Sequence, residues 1–227
     1  MNRITLITLI LACASLTAGC PSMTTMGTAR TLDAGETQFF VAPEYSRFSL
    51  GGEPLSEPTV EIGGRYGITD DVEVGARVWL PGYAIDTKIA LLRSESEETG
   101  WDISVAPAVS YLGSMSGTAE GSGYELHVTT LYLPLLMGYN LGGGNSVVLG
   151  ARIADQIWTT EDQADTTANL LYVGGSLSFV WKVADGIRIA PEVALAAPIV
   201  ESVPGFGTDV GIGATLFQAG IAFLFGG

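Results

Sequence analysis

The sequence of 227 residues is poor in charge. Charged residues make up 15% of it and hydrophobic residues 47%, whereas roughly 25% of an average soluble domain is charged. The two lysines are Lys88 and Lys182. A soluble β-sandwich needs more solvated charge on its outer faces, so the composition favours a protein whose outer surface contacts lipid.

Long apolar runs and basic clusters are also missing. After the N-terminus, no uninterrupted apolar run reaches the roughly 20 residues that a membrane helix requires, whereas a strand crosses with about 9 to 11. The formal net charge is −14. Nucleic acid is therefore excluded as a partner, because phosphate binding needs clustered lysine and arginine.

Cysteine is limited to Cys13 and Cys20. Residues 1–19 carry Arg3 near their start, continue as an apolar run and end in small residues, which predicts a signal peptide. Its removal would take Cys13 away and leave Cys20 as the sole thiol. No disulfide is then possible within the mature chain.

The residues Leu16-Thr17-Ala18-Gly19-Cys20 resemble the lipobox of bacterial lipoproteins, although Thr17 stands where that family has an aliphatic residue. The resemblance implies that the lipoprotein-processing machinery acylates Cys20. The alternative is ordinary cleavage nearby, with Cys20 left as a free thiol. Residues 20–36 contain Pro, Ser, Thr and Gly without a period, and we predict that they form a lipidated N-terminal tether.

The stretch from Val60 to Leu80 shows period-two alternation, with mainly apolar even positions and charges at odd positions. This pattern predicts a β-hairpin. A turn at Ile68 to Asp70 would set Arg65 opposite Glu73, and Glu61 opposite Arg77, on one face.

Similar alternation predicts about ten strands between residues 37 and 227. Besides the two strands of the hairpin they are Thr37–Phe48, Tyr83–Arg93, Trp101–Tyr111, Tyr124–Asn140, Ser146–Trp158, Asn169–Val183, Ile187–Ala197 and Thr215–Phe225. A change of phase predicts a bulge near Thr129 and Thr130. The final strand, with its terminal aromatics, resembles the C-terminal strand by which outer-membrane barrels are recognised, which implies the barrel-assembly machinery as a partner.

The polar face is dominated by Gly, Ala and Ser, and the connections alternate in length, with long ones at Ser49–Glu57, Leu112–Gly123, Thr159–Ala168 and Pro198–Ala214. Both features predict an all-β fold, a closed antiparallel up-and-down transmembrane β-barrel. Aromatic residues are predicted to form two interfacial bands, Tyr66, Trp101, Tyr139, Trp181, Phe223 and Phe225 at one end and Tyr45, Tyr111 and Trp158 at the other. We expect an outer-membrane location with the N-terminus in the periplasm.

Charged side chains of the polar face are candidates to line the lumen. They are Glu44, Glu61, Arg65, Glu73, Arg77, Asp86, Lys88, Asp102, Arg152, Arg188 and Glu192. Lys182 shares this face and would meet Arg188 across the Asp185-Gly186 turn. Ten strands leave a narrow interior, so these charges are expected to pair with one another.

No catalytic or metal motif is recognisable. His127 is the sole histidine, and the chain has no Gly-x-Ser-x-Gly element. No loop has the spacing of a calcium-binding loop. We therefore expect no enzymatic activity, no metal and no cofactor.

Three functional hypotheses follow. The first is a non-enzymatic outer-membrane lipoprotein, structural or surface-binding, whose acidic outer loops meet membrane lipids and lipopolysaccharide. The second is a narrow cation-preferring pore or small-solute transporter, because an acidic mouth attracts cations. The third is a soluble, lipid-anchored periplasmic β-barrel with its apolar face turned inward.

Overall fold

The computed structural model describes residues 24–50, 53–96, 98–119, 122–160, 167–202 and 215–227. The predicted signal peptide and Cys20 lie outside these residues. The described residues form eleven strands, β1 (Thr37–Leu50), β2 (Glu53–Thr69), β3 (Val72–Trp79), β4 (Gly82–Leu92), β5 (Gly100–Val105), β6 (Ala108–Ala119), β7 (Ser122–Gly142), β8 (Asn145–Thr160), β9 (Thr167–Ala184), β10 (Ile187–Ser202) and β11 (Leu216–Gly226). Among the described residues, no helix is long and apolar enough to cross a membrane.

The strands close into an antiparallel barrel. Apart from β5 and β6, strands that follow one another in the chain pair with each other, and β1 pairs with β11 to complete the ring. β5 and β6 together fill one place between β4 and β7, because the strand is interrupted at Ala106 and Pro107. The predicted barrel of about ten strands is thus confirmed. Closure leaves no open sheet edge for lipid to meet.

Outward and inward side chains alternate along each strand, as the period-two pattern requires. Val60 and Ile62 are 48% and 54% exposed, whereas Glu61 between them is fully buried. The apolar face therefore points outward and the charged face inward, as in membrane barrels. The alternative of a soluble barrel with its apolar face inside is wrong for this reason.

The two ends of the barrel differ. The turn end carries the short connections at Asp70-Asp71, Gly143-Gly144 and Asp185-Gly186, and the opposite end is called the loop end. The predicted long loops are largely wrong for the described residues, because the strands run on as hairpins. Leu50 pairs with Glu53, and Ala119 pairs with Ser122.

Aromatic rings mark both edges of the outward apolar belt. At the turn end Trp101 and Tyr139 lie with ring centroids 5.1 Å apart, and at the loop end Tyr83 and Tyr111 are 5.7 Å apart. Trp158 does not belong to this band. It packs inside against Val128, because its strand position faces the lumen.

The height of the belt fits a bilayer. On β1 the first outward-facing charge after Thr37 is the exposed Arg47, ten residues along the strand. A rise of about 3.3 Å per residue and a tilt of about 40° place it about 25 Å above the turn end. That height equals the apolar band of known membrane barrels.

Two local predictions were wrong. In the β2–β3 hairpin the turn is at Asp70-Asp71, so Gly67 lies opposite Glu73 and Arg65 opposite Gly75, two residues from the expected register. The bulge near Thr129 and Thr130 is absent from β7, which pairs with β8 without a shift from Leu126 to Asn140. The nearby shift between β6 and β7 places its extra residue on β6, between Leu112 and Met115. Val128 simply faces inward, because the loop-end half of the lumen is apolar.

Substituting arginine for Val193, in the outward belt on β10, should lower the free energy of unfolding by about 2–4 kcal/mol, because the guanidinium would enter hydrocarbon. The matched variant is Asn169→Arg, which is outward-facing near the loop end and should cost about 0–1 kcal/mol. Urea unfolding in lipid vesicles, followed by tryptophan fluorescence, measures both. Equal costs would contradict a lipid-facing belt.

Candidate functional site

Residues 24–36 enter the barrel through its turn end. Gly35 donates its N–H to the Gly67 carbonyl at 2.8 Å, and Gly67 donates to the Glu36 carbonyl at 3.0 Å. A Cβ on Gly67 would lie 2.1 Å from the Asp33 carbonyl oxygen, so only glycine allows the chain to cross here. The predicted tether is therefore wrong for this stretch, which packs against and inside the barrel.

Residues 24–32, called the N-terminal plug, lie within the lumen. Thr24, Met26, Ala29 and Thr31 are at most 3% exposed. Near the turn end the Leu32 N–H donates to Glu73 at 2.8 Å. Farther in, Arg77, which stands higher on the same strand, donates to the Thr24 carbonyl at 2.8 Å. From Leu32 back to Thr24 the plug thus leads away from the turn end.

A buried ion-pair network lies on β2, β3 and β4 beside the plug. Arg65 contacts Glu73 at 2.8 Å and Asp86 at 2.9 Å, and Lys88 contacts the same Glu73 at 2.8 Å. All four side chains are at most 7% exposed. The two carboxylates and two bases neutralise one another where water is excluded.

Further pairs surround the rest of the plug. Arg77 lies 3.3 Å from Glu61, and Arg152 lies 3.2 Å from Glu192. The predicted partner of Arg77 is therefore found, although across a diagonal and not directly opposite. On the plug itself Arg30 reaches Asp102 at 3.4 Å.

The structure places most of the candidate lumen residues in this interior. Those that are buried are Glu44, Glu61, Arg65, Glu73, Arg77, Lys88, Asp102, Arg152 and Glu192, together with the Asp86 side chain. Arg188 is different, because it is half-buried at the turn end. The same alternation along the strands places Gln156 and Gln218 inward, and the set of candidate residues omitted both. Arg30 carries no such signal, because the plug has no period.

Lys182 and Arg188 lie opposite one another beside the β9–β10 turn, as expected. Lys182 contacts Asp185 at 2.8 Å, which offsets the repulsion between the two bases. Its hydrogen bond and positive charge hold the pKa of Asp185 below the usual value. These groups and Glu98 line an open groove of about 450 Å³ at the turn end.

Apolar side chains fill the lumen beyond the plug. One cluster contains Tyr132, Ala154, Leu170, Tyr172, Ala196 and Leu216, and a second contains Trp79, Ala84, Leu112 and Val128. Between these side chains and the plug is a cavity of about 20 Å³, lined by Thr24, Arg77, Tyr132 and Arg152 among others. A cavity of that size holds about one water molecule.

Two features bear on chemistry among the described residues, namely the clustering of side chains that a metal site needs and the position of the one histidine. No group of three or more His, Cys, Asp or Glu side chains there is placed to hold a metal ion. His127 lies on the outward face, where its ring stacks on Tyr111 and its Nδ1 is 2.8 Å from the Tyr111 hydroxyl. The distinctive feature of the interior is thus the plugged, ion-paired lumen.

No protein-family model matches this chain, and no curated protein matches it. Solved structures similar to it include the outer membrane protease OmpT from Escherichia coli, with 10% identity, a TM-score of 0.44 and coverage of 88% of this chain and 98% of that one. The translocator domain of the autotransporter NalP from Neisseria meningitidis has 10% identity, a TM-score of 0.46 and coverage of 98% and 95%.

An outer membrane channel from Pseudomonas putida F1 is similar at 10% identity, with a TM-score of 0.43 and coverage of 90% of this chain and all of that one. Likeness at these scores carries no argument about function. The fold assignment rests on the strand pairing and the exposed apolar belt.

Replacing Arg65 with Met should destabilise the barrel by about 3–5 kcal/mol, because Glu73 and Asp86 would keep their charges inside the lumen with one base fewer. The matched control is Arg47→Met on the exposed outer face, expected to change stability by less than about 0.5 kcal/mol. Urea titration in detergent micelles, read by circular dichroism, gives both values. Loss of Arg65 without effect would show that the network is unimportant to stability.

Proposed function

We propose that the protein is a non-enzymatic β-barrel of the bacterial outer membrane with a structural or surface-binding role. The observation that carries this proposal is the occupied lumen. Among the described residues the plug, the ion pairs and two apolar clusters lie across it, beside a cavity of about 20 Å³. Such an interior supports a scaffold more than a permanently open channel. Its expected partners are membrane lipids at the belt and lipopolysaccharide at the acidic loop end.

Acylation of Cys20 conflicts sterically with the plugged lumen. Cys20 precedes Thr24 by four residues, and four extended residues span at most about 14 Å. Thr24 contacts Arg77, which is five residues from the turn-end start of β3, or about 17 Å along the strand and about 13 Å along the axis of a barrel whose strands tilt by about 40°. The chain before Thr24 could cover that height only by doubling back, almost fully extended, beside the plug, where the cavity is about 20 Å³. A lipid on Cys20 that inserts at the turn end would therefore have to draw the plug out of the lumen.

This conflict predicts that acylated protein has an accessible lumen and unacylated protein a closed one. Met26→Cys, deep in the lumen, should react quickly with a membrane-impermeant maleimide in acylated protein and at least about ten times more slowly in a Cys20→Ser background, since the side chain is 1% exposed in the plugged form. Mass spectrometry reports the acyl group. Ala34→Cys, at an exposed site, is the matched control and should react equally in both. Equal rates at position 26, with acylation verified, would contradict the prediction that acylation and occupancy of the lumen by the plug are mutually exclusive.

A second candidate function, a cation-preferring pore, is favoured by the charge of the wall. At the level of the plug the wall carries six carboxylates, Glu44, Glu61, Glu73, Asp86, Asp102 and Glu192, against the four bases Arg65, Arg77, Lys88 and Arg152. Withdrawal of the plug would remove Arg30 and leave this excess of negative charge facing water. Such a lumen attracts cations and repels anions.

Arg30→Glu should loosen the plug, because it sets a carboxylate against Asp102. In planar bilayers with a potassium chloride gradient we expect frequent openings whose reversal potential shifts toward that of potassium. Arg47→Glu makes the same charge change on the outer face and should stay as quiet as the unmodified chain. Silent Arg30→Glu bilayers, with insertion demonstrated by protease protection, would argue against a pore.

A further inference from the structure

The wall holds the plug through side chains and through five main-chain groups of the plug. Glu192 accepts N–H groups from Thr25 at 3.2 Å and from Met26 at 2.7 Å, and Glu73 accepts the N–H of Leu32. Arg77 donates to the Thr24 carbonyl. Lys88 donates to the Arg30 carbonyl at 3.4 Å. Apart from the N–H that proline lacks, every amino acid supplies these groups.

Side chains of the plug are mostly small, with the sequence Thr-Thr-Met-Gly-Thr-Ala-Arg-Thr-Leu. The plug's side chains contribute a base, because Arg30 meets the buried Asp102. They also contribute hydroxyl groups, since Thr24 donates to Glu44, Thr25 to Glu192 and Thr31 to the Asp70 carbonyl. The lumen therefore selects an extended chain that carries one basic residue and small hydroxyl side chains.

The plug is not part of the sheet. Main-chain hydrogen bonds tie the segment to β2 at Gly35 and Glu36. Farther in, five main-chain groups of the plug bond to charged side chains of the wall. This is how a protein holds a bound peptide by charge-assisted hydrogen bonds.

Arg152 extends the same recognition beyond the plug. Its Nη2 contacts Glu192, the carboxylate that receives Thr25 and Met26. Its Nε and Nη1 are buried without a hydrogen-bond partner, and they border the small cavity beside Thr24. A buried guanidinium with unused donors favours further acceptors, such as carbonyl oxygens of a longer peptide.

We propose that the lumen is a binding site for an extended basic peptide, that the plug is its resident occupant, and that a peptide supplied separately can take the same place. The ligand class is an unfolded segment that offers free main-chain N–H groups and an arginine or lysine for Asp102. This proposal goes beyond a structural role and does not depend on acylation of Cys20.

The test uses the full chain with a specific protease site inserted between the exposed Ala34 and Gly35, cut only after folding in detergent. A fluorescent peptide with the sequence of residues 24–33 is then added, and its anisotropy reports exchange with the cut fragment. We expect saturable binding. N-methylation at Met26 should weaken it about ten-fold or more, because the bond to a charged acceptor is lost. An Arg30→Glu peptide should weaken it similarly.

A Gly27→Ala peptide is the matched control, since a Cβ there meets nothing nearer than 3.7 Å, and it should bind like the parent. On the barrel side Glu192→Gln should weaken binding, whereas Glu95→Gln on the exposed turn-end surface should not. If Glu192→Gln fails to fold, the N-methylated peptide on the unmodified barrel still decides. A cut fragment that never exchanges, or exchange insensitive to N-methylation, would overturn the proposal.

Discussion

Neutralisation of charge inside a narrow lumen is the constraint on which this structure depends. A carboxylate removed from water must be paired or accept hydrogen bonds. The wall beside the plug carries more carboxylates than bases, and the plug supplies what is missing. Glu192 receives two of its N–H groups, while Asp102 receives Arg30 and the amide of Asn140. Plug and wall are therefore one electrostatic unit.

The outer surface of the barrel is constrained by the hydrocarbon of the membrane. In hydrocarbon every main-chain group must be satisfied within the protein, and the closed ring of strands achieves this. Once the ring closes, alternate side chains are forced into the lumen, so the apolar belt and the charged interior have the same cause. The hairpin of β2 and β3 shows both the apolar belt and the charged interior, because the exposed Val60 and Ile62 flank the buried Glu61.

The outward and inward faces of the barrel wall could be predicted from sequence. Each strand alternates with a period of two, which assigns every side chain to one face without knowledge of the strand register. Details that depend on turns could not be predicted. The hairpin register depends on whether the chain reverses at Ile68 to Asp70, as expected, or at Asp70-Asp71, as found. The phase of β7 was misread because the apolar Val128 faces inward. The plug was missed for a physical reason as well. An extended segment outside the sheet, held by five main-chain groups and by side chains at irregular positions, shows no period, so its sequence resembles a linker.

The contacts of the plug can be compared with the entropy that ordering it costs. Five main-chain groups of the plug bond to charged wall residues, and each such bond contributes about 1.5–3 kcal/mol. Ordering the backbone costs about 1–2 kcal/mol for each of its nine residues. The two quantities are similar in size, so the side-chain contacts of the plug, among them that of Arg30 with Asp102, set the balance of its occupancy. A competing peptide, or a pull on the chain from an anchored Cys20, acts directly on that balance.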